Sequence, residues 1–416
     1  MIQKFIESGY DLVDFSDYAD IYIINTCTVT SMSDKKSRQI IRRAKNVNEN
    51  SIVVAVGCYA QVAKEELEKI KEIDLILGIS EKNDIVHYIE KYINDNSKKI
   101  EETSDVMKQK EYLDFGSVTF TDKTRAVIKI EDGCDRFCSY CIIPYARGRV
   151  RSRNASSIIN EIEDISKNGI KEVVITGIHV ASYGKDLKEN IKLIDLLEKI
   201  NNISNIKRIR LSSIEPTIIN NDFVNRVTKL EKVCNHFHLS LQSACNETLK
   251  RMNRRYTIEE FDKGIDILRK GYNNDVALTT DIIVGFPGET ELEFKETYNN
   301  LKNINFAKMH VFKYSPRAGT KAAMMKDQID PKIKEERSKK IISLSNSNEI
   351  DYIEKHIGKN VEVLFEKVDE NYIWGHTTNY IKVAVKKDKL LENNICKVKI
   401  NKRNGNELIG EVLEFL

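Results

Sequence analysis

The stretch Gly133-Cys134-Asp135-Arg136-Phe137-Cys138-Ser139-Tyr140-Cys141 places three thiols in Cys-x3-Cys-x2-Cys spacing. A loop this tight aims three sulfurs at one inorganic centre and leaves no fourth protein ligand nearby. Structural zinc sites are closed by four ligands, and ferredoxin clusters are held by four cysteines. A cubane held by three thiolates keeps one iron open, which suggests chemistry rather than storage. Two blander readings stand beside it: zinc ligands completed by a distant histidine such as His179, or inert thiols.

The bulk composition narrows the classes. A chain of 416 residues with 41% hydrophobic side chains can bury real cores and is expected to divide into about three domains. Lys plus Arg number 66 against 63 Asp plus Glu, a net charge of +3, so any basic surface must be local. No apolar run approaches the ~20 residues needed to span a bilayer, and no signal peptide is evident. This predicts a cytoplasmic protein without a membrane partner, whose eight cysteines are metal ligands or thiols rather than a disulfide framework.

The chain is α/β in class. Residues 1–95 read as a small α/β domain, with strands at 21–25 and 52–56, and helices at 33–45 and 60–71. Both strands deliver a cysteine at their carboxyl ends, Cys27 and Cys58, the edge of a parallel sheet where ligands collect. As small hydrophobes the two could equally be buried packing. Residues 96–123 turn polar and read as a linker. Residues 124–330 carry six strand candidates, at 125–131, 172–176, 208–212, 236–241, 278–284 and 308–314, alternating with helical patterns. Six repeats predict a partial (β/α)6 barrel with the cysteine loop after its first strand. Residues 331–355 read as a solvated connecting helix. Residues 356–416 read as five short strands in a small β-barrel, with ten Lys and Arg against nine Asp and Glu, so charge alone makes it no RNA binder.

The predicted strand ends carry features that suit a bound ligand. Gly177 removes a side chain where backbone must approach a ligand. Ser213 and Glu215 follow the third strand, Gln242 the fourth, and Gly285 and Pro287 lie in a glycine-rich turn after the fifth. Taken singly each is weak, and Gly285 with Gly288 could serve turn geometry alone. Beside the cysteine loop, Arg147, Arg149, Arg151 and Arg153 form a basic run that could meet phosphates; Lys250 to Arg255 and Lys35 to Arg43 hold two more. Such runs are more often a solvated face.

The Cys-x3-Cys-x2-Cys loop with Tyr140 before its third cysteine resembles the radical S-adenosylmethionine (SAM) superfamily. Further motifs narrow this: Asn25-Thr26-Cys27-Thr28-Val29-Thr30, the run from Gly133 to Arg153, Leu239 to Ser243, Asp281 to Thr290, and His310-Val311-Phe312 through Pro316. Together they resemble the radical SAM methylthiotransferases. Thr28-Val29-Thr30 and Gly148-Arg149-Val150 point to the branch that modifies threonylcarbamoyladenosine next to the tRNA anticodon. The resemblance covers nearly the whole chain, and the terminal barrel is similar to the family's TRAM domain.

The resemblance implies a transferase that binds tRNA, takes electrons from a reductant protein and uses SAM with two 4Fe-4S clusters. Cys134, Cys138 and Cys141 match the radical SAM cluster ligands and the catalytic centre; Tyr140, Gly177, Ser213, Glu215, Gln242, Gly285 and Pro287 become SAM-site candidates. Cys27 and Cys58 match two of three ligands of an auxiliary 4Fe-4S cluster. One SAM then methylates sulfur associated with that cluster, and a second yields the radical that takes hydrogen from carbon 2 of the purine. The family's first auxiliary ligand lies ahead of the point that Met1-Ile2-Gln3 resembles, so the third ligand is missing here and the domain is read as lacking its first segment. In-frame coding sequence upstream with a further cysteine is the expected finding; a stop codon directly before Met1 would overturn it. Other outcomes of the same resemblance are an isopentenyladenosine tRNA or ribosomal-protein aspartate methylthiotransferase, or a non-catalytic iron–sulfur RNA-binding protein.

Overall fold

The computed structural model describes residues 1–95, 99–114, 116 and 124–416. They form two compact units. One comprises Met1–Ser117, Asp132–Arg151 and Ser315–Met325, and the other Val118–Glu131, Ser152–Tyr314 and Lys326–Leu416.

The first unit is built on a four-stranded parallel sheet in sequence order, Ile21–Thr26, Ile52–Gly57, Leu75–Leu77 and Ile100–Glu102. Alternate residues point to opposite faces of a strand, and both faces are covered here, which is why the first three strands are mostly apolar. Tyr22, Ile24, Val53, Ala55 and Ile76 pack against Ile41, Ala44 and Leu67, while Val54, Val56, Leu75 and Leu77 pack against Phe5, Ile85 and Ile89. The strand Ile100–Glu102 lies inside the segment expected to be a linker. Its one apolar side chain, Ile100, packs on that second face, and the polar residues around it hid a short edge strand from the hydrophobic pattern. Residues 96–98, 115 and 117–123 of that expected linker lie outside the described residues.

The second unit holds the six predicted β-α repeats. Arg125–Lys129, Glu172–Thr176 and Arg208–Leu211 form one parallel three-stranded sheet; His236–Gln242, Ala277–Val284 and Lys308–Lys313 form another. Two isolated parallel bridges, Ile209 with Val233 and Ile214 with Leu239, join the halves between the third and fourth strands. The helix-facing side chains, among them Ile128, Ile175, Ile209, Phe237, Leu239 and Ile282, merge with Phe261, Phe294 and Leu301 into one continuous core. Helix Pro331–Glu354, expected to be solvated, instead buries Lys334, Arg337, Ile341 and Ser345 and packs along the last barrel strand, with Ser345 Oγ bonded to both N and O of Met309. Lys334 donates to the Tyr314 carbonyl and Arg337 pairs with Glu289, partners that a hydropathy pattern cannot show. An otherwise exposed sheet edge is thereby covered.

Residues 360–415 close into the predicted five-stranded barrel around Val363, Phe365, Ile373, Val383, Val398 and Leu408. It is fastened to the amino-terminal ends of the (β/α)6 strands. Arg125 pairs with Glu366 at 2.6 Å, Arg208 donates to the carbonyl of His376 at 2.8 Å, and Arg210 donates to the carbonyls of Thr378 and Thr377 at 3.0 and 3.2 Å. The Tyr380 ring stacks on both His236 and His376.

Burial, with the nearby Arg210 cation adding to it, pushes the His236 imidazole down to about 3 from its ordinary 6.5. The unfolded chain therefore takes up a proton between those values that the folded chain refuses, so folding stability rises with pH across this window and is lost as pH falls through it. We expect the unfolding free energy of the wild type to drop from pH 6.5 toward 3 more steeply than that of His236→Gln in denaturant titrations. Parallel slopes would refute this.

Candidate active site

All five cysteines singled out by sequence, Cys27, Cys58, Cys134, Cys138 and Cys141, belong to the first unit. Cys27 follows the first strand and is exposed; Cys58 opens the helix Cys58–Val62 after the second strand and is buried. The sheet thus delivers both at its carboxyl edge. Cys134, Cys138 and Cys141 are half-buried in a loop pinned at both ends. Gly133 has φ +81°, and a Cβ there would sit 1.9 Å from the carbonyl oxygen of Arg149. Only glycine fits so close an approach. Cys134 N donates to the carbonyl of Gly148 at 3.0 Å, Cys141 N to that of Cys138 at 2.9 Å, and Ala322 N to that of Ser139 at 2.8 Å.

Three thiolates are the donor set of an iron–sulfur cluster with one iron left open, whereas a structural zinc site takes four ligands. The zinc reading through His179 fails on its partners: Nδ1 lies 2.7 Å from Ser182 Oγ and Nε2 3.1 Å from Glu215 Oε2. The other three cysteines are of a different kind. Cys234, Cys245 and Cys396 are buried, and burial pushes each thiol up, Cys234 to about 11. Such thiols are inert.

The basic run beside the loop is not the RNA-facing rim expected from sequence. Arg151 is 1% and Arg153 5% exposed. Arg151 donates to the carbonyl of Arg149, and Arg153 pairs with buried Glu161. Arg147 turns inward: its Nε donates to Cys58 Sγ at 3.1 Å and its terminal nitrogen to Asp132 at 3.3 Å. Burial works against the Arg147 charge, but Asp132 and Cys58 together outweigh it and hold the guanidinium above its ordinary value. Of the four only Arg149 is solvent-facing, over the Phe137 ring and 3.2 Å from Asp135. Sequence reasoning also missed Arg317, which reaches back 289 positions to Thr28 and pairs with Asp34 at 2.7 Å. Nothing in the local pattern links residues so far apart.

In the second unit the SAM-site candidates cluster at the carboxyl ends of the strands, the end away from the terminal barrel, but several serve the fold. A Cβ on Gly177 would strike the Glu131 carboxylate at 2.4 Å, so its missing side chain makes room for Glu131, which accepts from the backbone N–H of His179. Gly285, at φ +69°, donates to Glu289 at 2.7 Å and leaves space for the Lys334 stem; Pro287 offers its carbonyl to Arg251. This turn is tied by the buried pair Glu289–Arg337, so turn geometry accounts for both glycine positions. Glu215 is buried between His179, Thr217 and Arg254. Ser213 is exposed, and Gln242 takes a left-handed φ of +71° at a break in strand register; Tyr140, in the cysteine loop of the first unit, is half-buried.

A parallel (β/α)6 sheet whose first strand runs on into a three-cysteine loop defines a radical SAM protein, and the family described as the Radical SAM superfamily matches residues 128–301. Residues 1–78 match a family described as uncharacterized protein family UPF0004. The chain belongs to the radical SAM methylthiotransferases. It is 41% identical over 405 residues to the threonylcarbamoyladenosine tRNA methylthiotransferase MtaB of Bacillus subtilis, covering 96% of this chain and 89% of that one. The Aquifex aeolicus protein of the same name is 40% identical, covering 91% of each chain. A tRNA-2-methylthio-N(6)-dimethylallyladenosine synthase from Thermoanaerobacter pseudethanolicus is 36% identical, covering 98% and 88%. The radical SAM methyltransferase TsrM of Kitasatospora setae, solved with cobalamin and a [4Fe-4S] cluster, shares the fold at TM-score 0.54 and 15% identity, over 74% of this chain and 67% of that one. No helix among the described residues is long and apolar enough to cross a membrane.

Proposed function

We propose that this chain methylthiolates carbon 2 of N6-threonylcarbamoyladenosine next to the anticodon of tRNA, in the cytoplasm, with electrons from a reductant protein. The observation that carries this reading is the 41% identity to a threonylcarbamoyladenosine enzyme over 96% of the chain, above the 36% to the dimethylallyladenosine enzyme. Cys134, Cys138 and Cys141 hold the radical SAM cluster, and Cys27 and Cys58 are two ligands of the auxiliary one. When bound, cluster and SAM together supply a 5′-deoxyadenosyl radical strong enough to take hydrogen from a purine carbon.

The protein's own part is placement. Gly133 and Gly148 fix the ends of the thiol loop. Arg147, itself held by Asp132, donates to Cys58 and orients its sulfur; groups that steady a ligand in this way are worth about 10–100-fold in metal affinity or activity. In the second unit Ser213 and Gln242 remain as SAM contacts, with Glu215 positioned by His179 and Arg254. The test is nucleoside analysis of bulk tRNA from a strain lacking the gene. Loss of the 2-methylthio derivative of threonylcarbamoyladenosine is expected; an unchanged nucleoside profile would count against any tRNA role.

A further inference from the structure

Helix Ser31–Val47 begins four residues after Cys27, capped by Thr30, whose side chain accepts from Ser33 N. Successive residues turn about 100° around an α-helix. Its buried positions, Asp34, Ser37, Ile41 and Ala44, therefore share one face, against the sheet. Lys35, Lys36, Gln39, Arg42, Arg43 and Asn46 share the opposite face, and all are exposed. Four cations thus stand on one surface with no acid among them, in a chain whose whole net charge is only +3.

Little neutralises them. Among the described residues Lys35 and Lys36 have no carboxylate within ion-pair distance, Arg42 has only Glu72 at 3.9 Å, and Arg43 lies over the Phe15 ring. Arg38, on the shoulder of the stripe, differs: it is tied to Tyr59 and Glu66 and faces away from it. From Lys35 to Arg43 the stripe runs roughly 12 Å along the axis at about 1.5 Å per residue. That length accommodates about three successive phosphates of one strand. At the Cys27 end, Val29 and Met32 are 54% and 68% exposed, an apolar flank suited to a base rather than a phosphate.

We propose that this helix face is the phosphate-binding surface on which the first unit receives tRNA, bringing a nucleotide toward Cys27. The inference rests on the tRNA reading above and assigns the surface that the arginines at 147, 151 and 153 do not supply. It is charge-based, so it sets affinity and position rather than sequence preference.

The test compares wild-type protein with Lys35→Gln/Lys36→Gln/Arg42→Gln/Arg43→Gln and with a charge-matched control, Lys302→Gln/Lys326→Gln/Lys332→Gln/Lys339→Gln, by titrating a transcribed tRNA at several salt concentrations, after circular dichroism has shown each variant folded. Each lost phosphate contact lowers the slope of log K against log salt by about 0.7–0.9, so a fall of roughly 2–3.5 and at least tenfold weaker binding at low salt are expected of the stripe variant alone. Unchanged slope and affinity, or equal losses in the control, overturn the stripe while leaving the tRNA reading intact. A wild type with no measurable tRNA binding at low salt overturns the tRNA reading and the stripe with it.

Discussion

Replacing Cys138 with serine is expected to abolish formation of 5′-deoxyadenosine from SAM in anaerobically reconstituted protein given a chemical reductant, a loss of at least about 100-fold. The loop offers three thiols and no substitute ligand, and both its ends are fixed, so the remaining two cannot be re-aimed to share the load. The same result is expected for Cys134 and Cys141. Cys234→Ser provides the contrast. That thiol is buried in the second unit with its pKa pushed up to about 11, and its loss should leave SAM cleavage untouched. Iron content measured alongside distinguishes a lost cluster from a silent one. Undiminished 5′-deoxyadenosine from Cys138→Ser would refute the assignment of the loop.

Glu172→Ala should be the most destabilising single change at the other end of the strands. Glu172 and Arg210 are 1% and 3% exposed, and Arg210 Nε lies 2.8 Å from the carboxylate. Arg125 is 3.8 Å from the same group. Removing one member of a buried pair leaves its partner's charge uncompensated and costs about 3–5 kcal/mol. Here the stranded arginine also carries the carbonyls of Thr377 and Thr378, so the anchorage of the terminal barrel weakens with it. Glu172→Leu combined with Arg210→Met removes both charges and should recover a good part of the loss. Denaturant unfolding of the two variants measures this, and a Glu172→Ala protein within 1 kcal/mol of wild type would exclude it.

The architecture was legible because its signals are local. Each barrel strand is a short apolar run before a helical pattern, and the six recur in order; the terminal barrel's five strands alternate in and out. The three-thiol spacing is likewise a local signal, and it is the strand ends and motifs elsewhere in the chain that favour a cluster over zinc or inert thiols. What stayed hidden depends on partners. Arg151 and Arg153 look like a solvated cationic run because sequence shows their charge but not Asp132 or Glu161 beneath them. Arg147 bonds to a cysteine 89 positions away. Gly177 reads as room for a ligand until Glu131 is seen to fill it. The helix Pro331–Glu354 reads as solvated because sequence does not show Tyr314, Glu289 and Met309, which receive its buried Lys334, Arg337 and Ser345. In each case the residue type was visible and its neighbour was not.

The seam between the third and fourth barrel strands, held by only two bridges, bears on how the protein comes to be folded at all. Within each half every strand pairs with its neighbour in sequence, and each such pairing spans a helical crossover, as parallel strands require. The seam is no more distant in sequence than these: Ile209 and Val233 stand closer together than Arg125 and Glu172. Every union in the barrel is thus non-local, the pattern of slowly folding topologies. What sets the seam apart is its sparse backbone bonding, so the halves are held to one another mainly by the core that their helix-facing side chains share.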